Sequence, residues 1–172
     1  MPDRKKSYLD ANVMLSYVNG DVDRLPTVDA ILAEGKTYWR SLYTSMLSQV
    51  EVAFGAAEQA TKALDEETEK KIDSLWLPGS PIRLVEYYRL IGDDARSLMR
   101  VAISKGWSLK PMDAIHLGTA RRQEVDEFLT YDPALEKYAE VAGFNICEPY
   151  AVQPMLPELP PGGDAPSDQA EQ

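Results

Sequence analysis

The chain has 172 residues, 44% of them hydrophobic, and a formal net charge of −10 at pH 7. That length suits one domain of ordinary size plus some extra, the apolar share is enough for a proper core, and the acidic balance argues on its face against a nucleic-acid binder. The longest apolar runs fall far short of the ~20 residues of a membrane span, and Arg4, Lys5 and Lys6 are followed by no signal-peptide stretch, so no membrane contact and a cytoplasmic location are expected.

Taken in order, Ser7 to Leu9 reads as a short strand ending in Asp10. Val13, Met14 and Tyr17 then continue at helical spacing over Ala11 to Tyr17. Asn19, Gly20 and Asp21 end that helix, and a second is expected over Val22 to Gly35, followed by a strand over Thr37 to Thr44. Ser45 reads as an N-cap, with Leu47, Val50, Phe54 and Ala57 as the apolar stripe of the next helix. Glu51 shares the edge of that stripe. Ala57 to Leu77 is a charged helix with a solvated face, and Trp76 to Pro81 is a break before a short strand at Ile82 to Val85.

A helix over Asp93 to Lys105 follows, with Leu98, Val101 and Ala102 inward and Gly106 as its cap. Pro111 then sits where a helix accepts proline, at its first position, so an amphipathic helix begins near Lys110. Asp113 falls in its first turn, on the face of Leu117 and Ala120. Glu127 to Tyr131 reads as a buried strand, Asp132-Pro133 opens a helix through Val141 that Gly143 ends, and Phe144 to Cys147 is the last strand. This alternation predicts an α/β fold with a mainly parallel central sheet and helices on both faces, whose ligands bind beyond the carboxyl ends of the strands. The domain is expected over residues 1–149. Residues 150–172, rich in Pro and acids, are expected as a disordered tail.

Charge is uneven. Past Ala151 there are four acids and no Lys or Arg, whereas Arg83 to Arg122 holds eight basic residues against four acids, enough for a local basic face or simply a solvated helix surface. Four acids stand out by position: Asp10, Glu51, Asp113 and Asp132. Each has a bland role open to it, as an N-cap (Asp10, Asp132), a helix-dipole partner (Asp113) or a partly covered surface side chain (Glu51). If they meet, they repel one another unless a divalent cation neutralises them. One Cys and one His leave no zinc site of the usual kind, so such a metal would be Mg²⁺ or Mn²⁺, suited to phosphoryl chemistry. There is no Walker glycine loop and no Gly-x-Ser-x-Gly elbow.

YLDANV from Tyr8, SxxSQVEV from Ser45, MDAIHLGTA from Met112 and FLTYD from Phe128 resemble, in order and spacing, the four signature blocks of a PIN-domain nuclease, and more narrowly a VapC-type toxin of a toxin–antitoxin pair. The resemblance implies a PIN-like three-layer sandwich in which Asp10, Glu51, Asp113 and Asp132 form the catalytic, metal-binding quartet. It also implies that Asn12 and Thr130 support them. Further implications are an Mg²⁺- or Mn²⁺-dependent endoribonuclease acting on RNA, a homodimer, and silencing by a cognate antitoxin. His116, common in the third block, is read as a packing or hydrogen-bonding residue. The acidic tail and the negative total depart from the family pattern. Two other readings stay open: a non-catalytic PIN-like scaffold, and a phosphoaspartyl domain. The second is disfavoured by Asn12 where one such type wants Asp, and by the lack of a Lys after the last strand.

Overall fold

Alternating strands need cover on both faces when all of them run parallel, and the computed structural model, which describes residues 4–152, has that arrangement. Strands β1 (Lys5–Leu9), β2 (Arg40–Ser45), β3 (Ile82–Val85), β4 (Glu127–Leu129) and β5 (Asn145–Cys147) form one parallel sheet in the order β3-β2-β1-β4-β5. Between them lie α1 (Ala11–Asn19), α2 (Leu25–Lys36), α3 (Leu47–Glu51), α4 (Ala56–Thr61), α5 (Glu66–Trp76), α6 (Arg89–Ser104), α7 (Pro111–Arg122), a 3₁₀ helix (Pro133–Tyr138) and α8 (Ala139–Ala142). Among the described residues no helix is long and apolar enough to cross a membrane.

Strand alternation splits the core in two. Tyr8 and Phe128, paired in register and stacked 4.8 Å apart, face Ala95, Leu98 and Ala102 of α6 and Ala114, Leu117 and Ala120 of α7. Their neighbours Leu9 and Leu129, with Leu42, face Val13 and Met14 of α1, Ile31 of α2 and Leu75 of α5. The expected three layers are therefore present. Gly118 lets α7 lie against α6, since a Cβ there would stand 3.0 Å from the Ile91 carbonyl and 3.1 Å from the Ala95 nitrogen.

Several expected boundaries move, for local reasons. The strand expected from Thr37 starts at Arg40, because Tyr38 sits at φ 66, outside the strand region. The second helix begins at Leu25 rather than Val22, which is left exposed. The stripe read through Leu47, Val50, Phe54 and Ala57 is wrong: α3 stops at Glu51, leaving Val50 and Phe54 exposed, and Ser48 and Val52 turn inward instead. Ser45 ends β2, and its hydroxyl accepts from the Leu47 N–H at 3.2 Å, one residue before the formal cap. The charged helix is two, parted at Lys62, whose φ is 57; Glu58, buried, accepts from the N–H groups of Gly55 and Asp65. The helix before Gly106 starts at Arg89 and leaves Val101 outside. The fourth strand ends at Leu129, and the segment from Pro133 is 3₁₀ before it becomes α.

Half of the basic run is spoken for. Arg89 pairs with Asp93, Lys105 with Glu140 and Arg122 with Asp94, while Arg121 donates to the carbonyls of Val141 and Ala142. At the other end of the sheet Arg40 is fully buried between Glu34 (2.8 Å) and Glu127 (3.1 Å), and it donates to the Tyr150 carbonyl at 2.8 Å. The Tyr150 hydroxyl donates to Glu127 at 2.6 Å and the Val152 N–H to Glu34 at 2.6 Å, so the first residues of the expected tail pack on the sheet. The remainder of that tail, from Gln153, lies outside the described residues.

Candidate active site at the sheet switch point

From β1 the chain winds to β2 and β3 on one side, then returns to β4 and β5 on the other, so the direction reverses between β1 and β4. In open parallel sheets the crevice beyond such a reversal is where ligands bind. Asp10 follows β1 and Thr130 follows β4 at this point, tied by the Asp10 N–H donating to the Leu129 carbonyl at 3.0 Å.

Asp10 is buried and well supplied with donors. The Ala11 N–H gives to Oδ1 at 2.8 Å, and Oδ2 accepts from the Thr130 hydroxyl at 2.7 Å and the Asn12 amide at 2.8 Å. Asn12 is fixed in turn: its Oδ1 accepts from the Tyr131 N–H at 3.0 Å. The capping role open to Asp10 is therefore present but is one contact of three. Burial pushes its carboxyl above the usual Asp range against the Thr130 hydrogen bond, and the charge of Glu51 adds to the rise.

Asp132 caps the 3₁₀ helix through the Ala134 N–H at 2.9 Å, and its own N–H donates to Thr130 Oγ1 at 3.0 Å. Asp113, half-buried in the first turn of α7, is raised by desolvation, against the pull of Lys110 and His116, with Asp132 and Glu51 pushing it further up. The acids are thus linked electrostatically: Asp10 with Glu51, and Asp113 with both Glu51 and Asp132.

Glu51 is held rather than free. His116, buried on α7, has Nε2 2.6 Å from Glu51 Oε2 and Nδ1 2.7 Å from the Tyr8 hydroxyl. Facing a carboxylate, which only accepts, Nε2 carries the ring proton, so in the neutral ring Nδ1 accepts from the Tyr8 hydroxyl, which itself accepts from the Ser45 N–H at 2.9 Å. Burial alone would lower the His116 pKa, but Glu51's hydrogen bond and the charges of Glu51, Asp10 and Asp113 raise it. In both protonation states Nε2 donates to Glu51. The sequence named His116 as a packing or hydrogen-bonding residue, and it is both. Tyr8 was not singled out; a tyrosine inside a core strand, whose hydroxyl must find a partner, was the signal available.

Among the described residues no three His, Cys, Asp or Glu side chains converge closely enough to hold a metal ion as they stand. The donor set nevertheless fits a hard dication: all four carboxylates are oxygen donors, two are raised by burial and further by neighbouring acid charge that a cation would offset, and Mg²⁺ takes only one or two direct carboxylates beside its waters.

The PIN domain family model matches residues 7–141, which includes all four acids. The chain belongs to the PIN domain family. Several solved structures are similar in fold to this PIN domain. VapBC2 from Rickettsia felis, bound to a DNA fragment from its promoter, is 14% identical with a TM-score of 0.63 over 84% of this chain and 98% of that one. FitAcB from Neisseria gonorrhoeae is 16% identical at a TM-score of 0.59, covering 83% and 97%. A toxin–antitoxin complex from Klebsiella pneumoniae is 16% identical at 0.55, covering 85% and 99%. At such identities the likeness carries the fold. Curated proteins give no match.

Proposed function

We propose that this PIN domain is a metal-dependent endoribonuclease and the toxin of a toxin–antitoxin pair, with Mg²⁺ or Mn²⁺ as cofactor. The observation that carries the reading is Asp10 buried at the switch point of the sheet and hydrogen-bonded by Thr130 and Asn12, with the Asp132 N–H on the same Thr130 hydroxyl and the charge of Glu51 acting on both Asp10 and Asp113. Membership of the PIN family supports nuclease chemistry, and the toxin–antitoxin neighbours support an antitoxin partner. A homodimer and a cytoplasmic location belong to the same proposal.

Asp10, Asp113 and Asp132 would hold the dication, with Glu51 held toward them by His116. When bound, the metal supplies Lewis-acid stabilisation of the phosphodiester and a water acidic enough to attack it. Asn12 and Thr130 fix the Asp10 carboxylate by hydrogen bonds at 2.8 and 2.7 Å, so its oxygens need no reorganisation during the reaction. His116 fixes the Glu51 carboxylate through the Nε2 hydrogen bond at 2.6 Å.

A second reading, a non-catalytic PIN-like scaffold that binds protein or RNA, is favoured by the lack of a converged three-ligand cluster among the described residues. Metal linkage separates the two. Under the nuclease reading Mn²⁺ raises the Tm of the native chain in proportion to ln(1 + [L]/Kd) and does not raise that of Asp113→Asn. A native chain whose Tm is indifferent to millimolar Mn²⁺ supports the scaffold.

A further inference from the structure

Opposite the carboxylates, at the amino ends of β1, β2 and β3, lies a cavity of about 330 Å³. Its wall includes Arg4, Lys36 and Arg83, the hydroxyl residues Ser41 and Ser80, and the ring of Tyr38; among the described residues no carboxylate lines it. In a chain of net charge −10, a wall whose described charged residues are all basic runs against the overall composition. Arg40 also reaches this wall, but it is committed to Glu34 and Glu127. Arg4, Lys36 and Arg83 are exposed, and among the described residues none of them forms an ion pair with an acid.

Ring contacts restrain two of these cations. Arg4 stacks its guanidinium 4.5 Å from the Tyr38 ring centre, and Arg83 lies 5.7 Å from that of Tyr43. The end of α2, whose carbonyls would repel an anion, is partly quenched by the Thr37 hydroxyl, which donates to the carbonyls of Ala33 and Glu34. Tyr38 itself is held at φ 66, a costly conformation for a bulky residue and one that concentrates at binding sites.

We propose that this cavity is an anion site that takes a phosphate group, with Arg4, Lys36 and Arg83 as its charge-assisted donors and Ser41 and Ser80 as neutral ones. From Arg4 to Asp10 the chain advances six residues of strand, about 20 Å, so the phosphate bound here is not the one at the carboxylates. The site is independent of the nuclease reading. A free phosphate and a nucleotide share this chemistry; the exposed Tyr38 ring gives the nucleotide a surface to stack on.

The test is an NMR titration of the full chain with inorganic phosphate and, separately, with 5′-AMP, in EDTA so that no metal draws phosphate to the carboxylates. The proposal expects saturable shifts at the amides of Lys36, Ser80 and Arg83, with binding weakened about tenfold by Lys36→Gln or by Arg83→Gln, the value of one charge-assisted hydrogen bond. Asp113→Asn is expected to leave it unchanged. Tighter binding of 5′-AMP assigns the site to a nucleotide; equal binding assigns it to the phosphate alone. Absence of saturable shifts with both probes, or affinity indifferent to the two cation substitutions in variants with native spectra, overturns the proposal.

Discussion

His116 Nε2 lies 2.6 Å from Glu51 Oε2, joining the sixth residue of α7 to the last residue of α3, 65 positions earlier in the chain. Because Ser45 and Tyr8 settle the ring from behind, this bond orients Glu51 instead of merely touching it. His116→Ala is therefore expected to reduce cleavage sharply. His116→Gln, which keeps an N–H near the Nε2 position, is expected to recover part of that loss at no greater stability, a split that a purely structural histidine would not give. Rates and melting curves of the two variants check it.

Tyr8→Phe removes the acceptor of the buried Ser45 N–H and the donor to His116 together. The expected cost is about 1–3 kcal/mol in denaturant unfolding, the penalty of leaving a buried polar group without a partner, since the ring's stacking on Phe128 is retained.

Asp113 and Asp10 should part company when made neutral. Asp113 is half-buried among like charges and caps nothing, so Asp113→Asn is expected to leave Tm unchanged or higher. Asp10 accepts three hydrogen bonds, and an amide nitrogen placed toward Asn12 and Thr130 would oppose two donors, so Asp10→Asn is expected to lower Tm. Both variants are expected to be inactive. Thermal unfolding beside activity separates charge relief from lost bonding.

Glu127 gives a pH signature. Burial alone would raise its pKa, but hydrogen bonds from Lys5, Ser7 and Tyr150 and the charge of Arg40 outweigh it and hold the carboxyl below the usual range. A depressed folded pKa stabilises above the unfolded value, about 4.3, and that contribution is lost as pH falls through the lower folded value. Glu127→Gln is expected to cost about 3 kcal/mol at pH 7, with the gap to the native chain closing below about pH 4. Urea midpoints at the two pH values measure it.

Much of this was readable in advance, and the reasons are local. Pro111 marks the start of α7 because a helix tolerates proline only there, and Asp10 and Asp132 announce themselves at strand-to-helix switches. The two-faced parallel sheet follows from short alternating segments. What failed to show depends on partners distant in the chain. Arg40 reads as a surface strand residue until β1 brings β4, and with it Glu127, alongside; Val50 and Phe54 read as core until α3 ends after five residues. The Tyr8–His116–Glu51 line crosses three segments, each of which gives an ordinary reading by itself.

The proposed activity is RNA cleavage by the acids at the switch point with a divalent metal. The most direct measurement is cleavage of a mixed RNA pool by the purified chain in Mg²⁺ or Mn²⁺, run beside the same reaction in EDTA and beside Asp113→Asn of native fold. Cleavage is expected with metal, none with EDTA and none with the variant. Cleavage that survives EDTA or the loss of the Asp113 charge would contradict it.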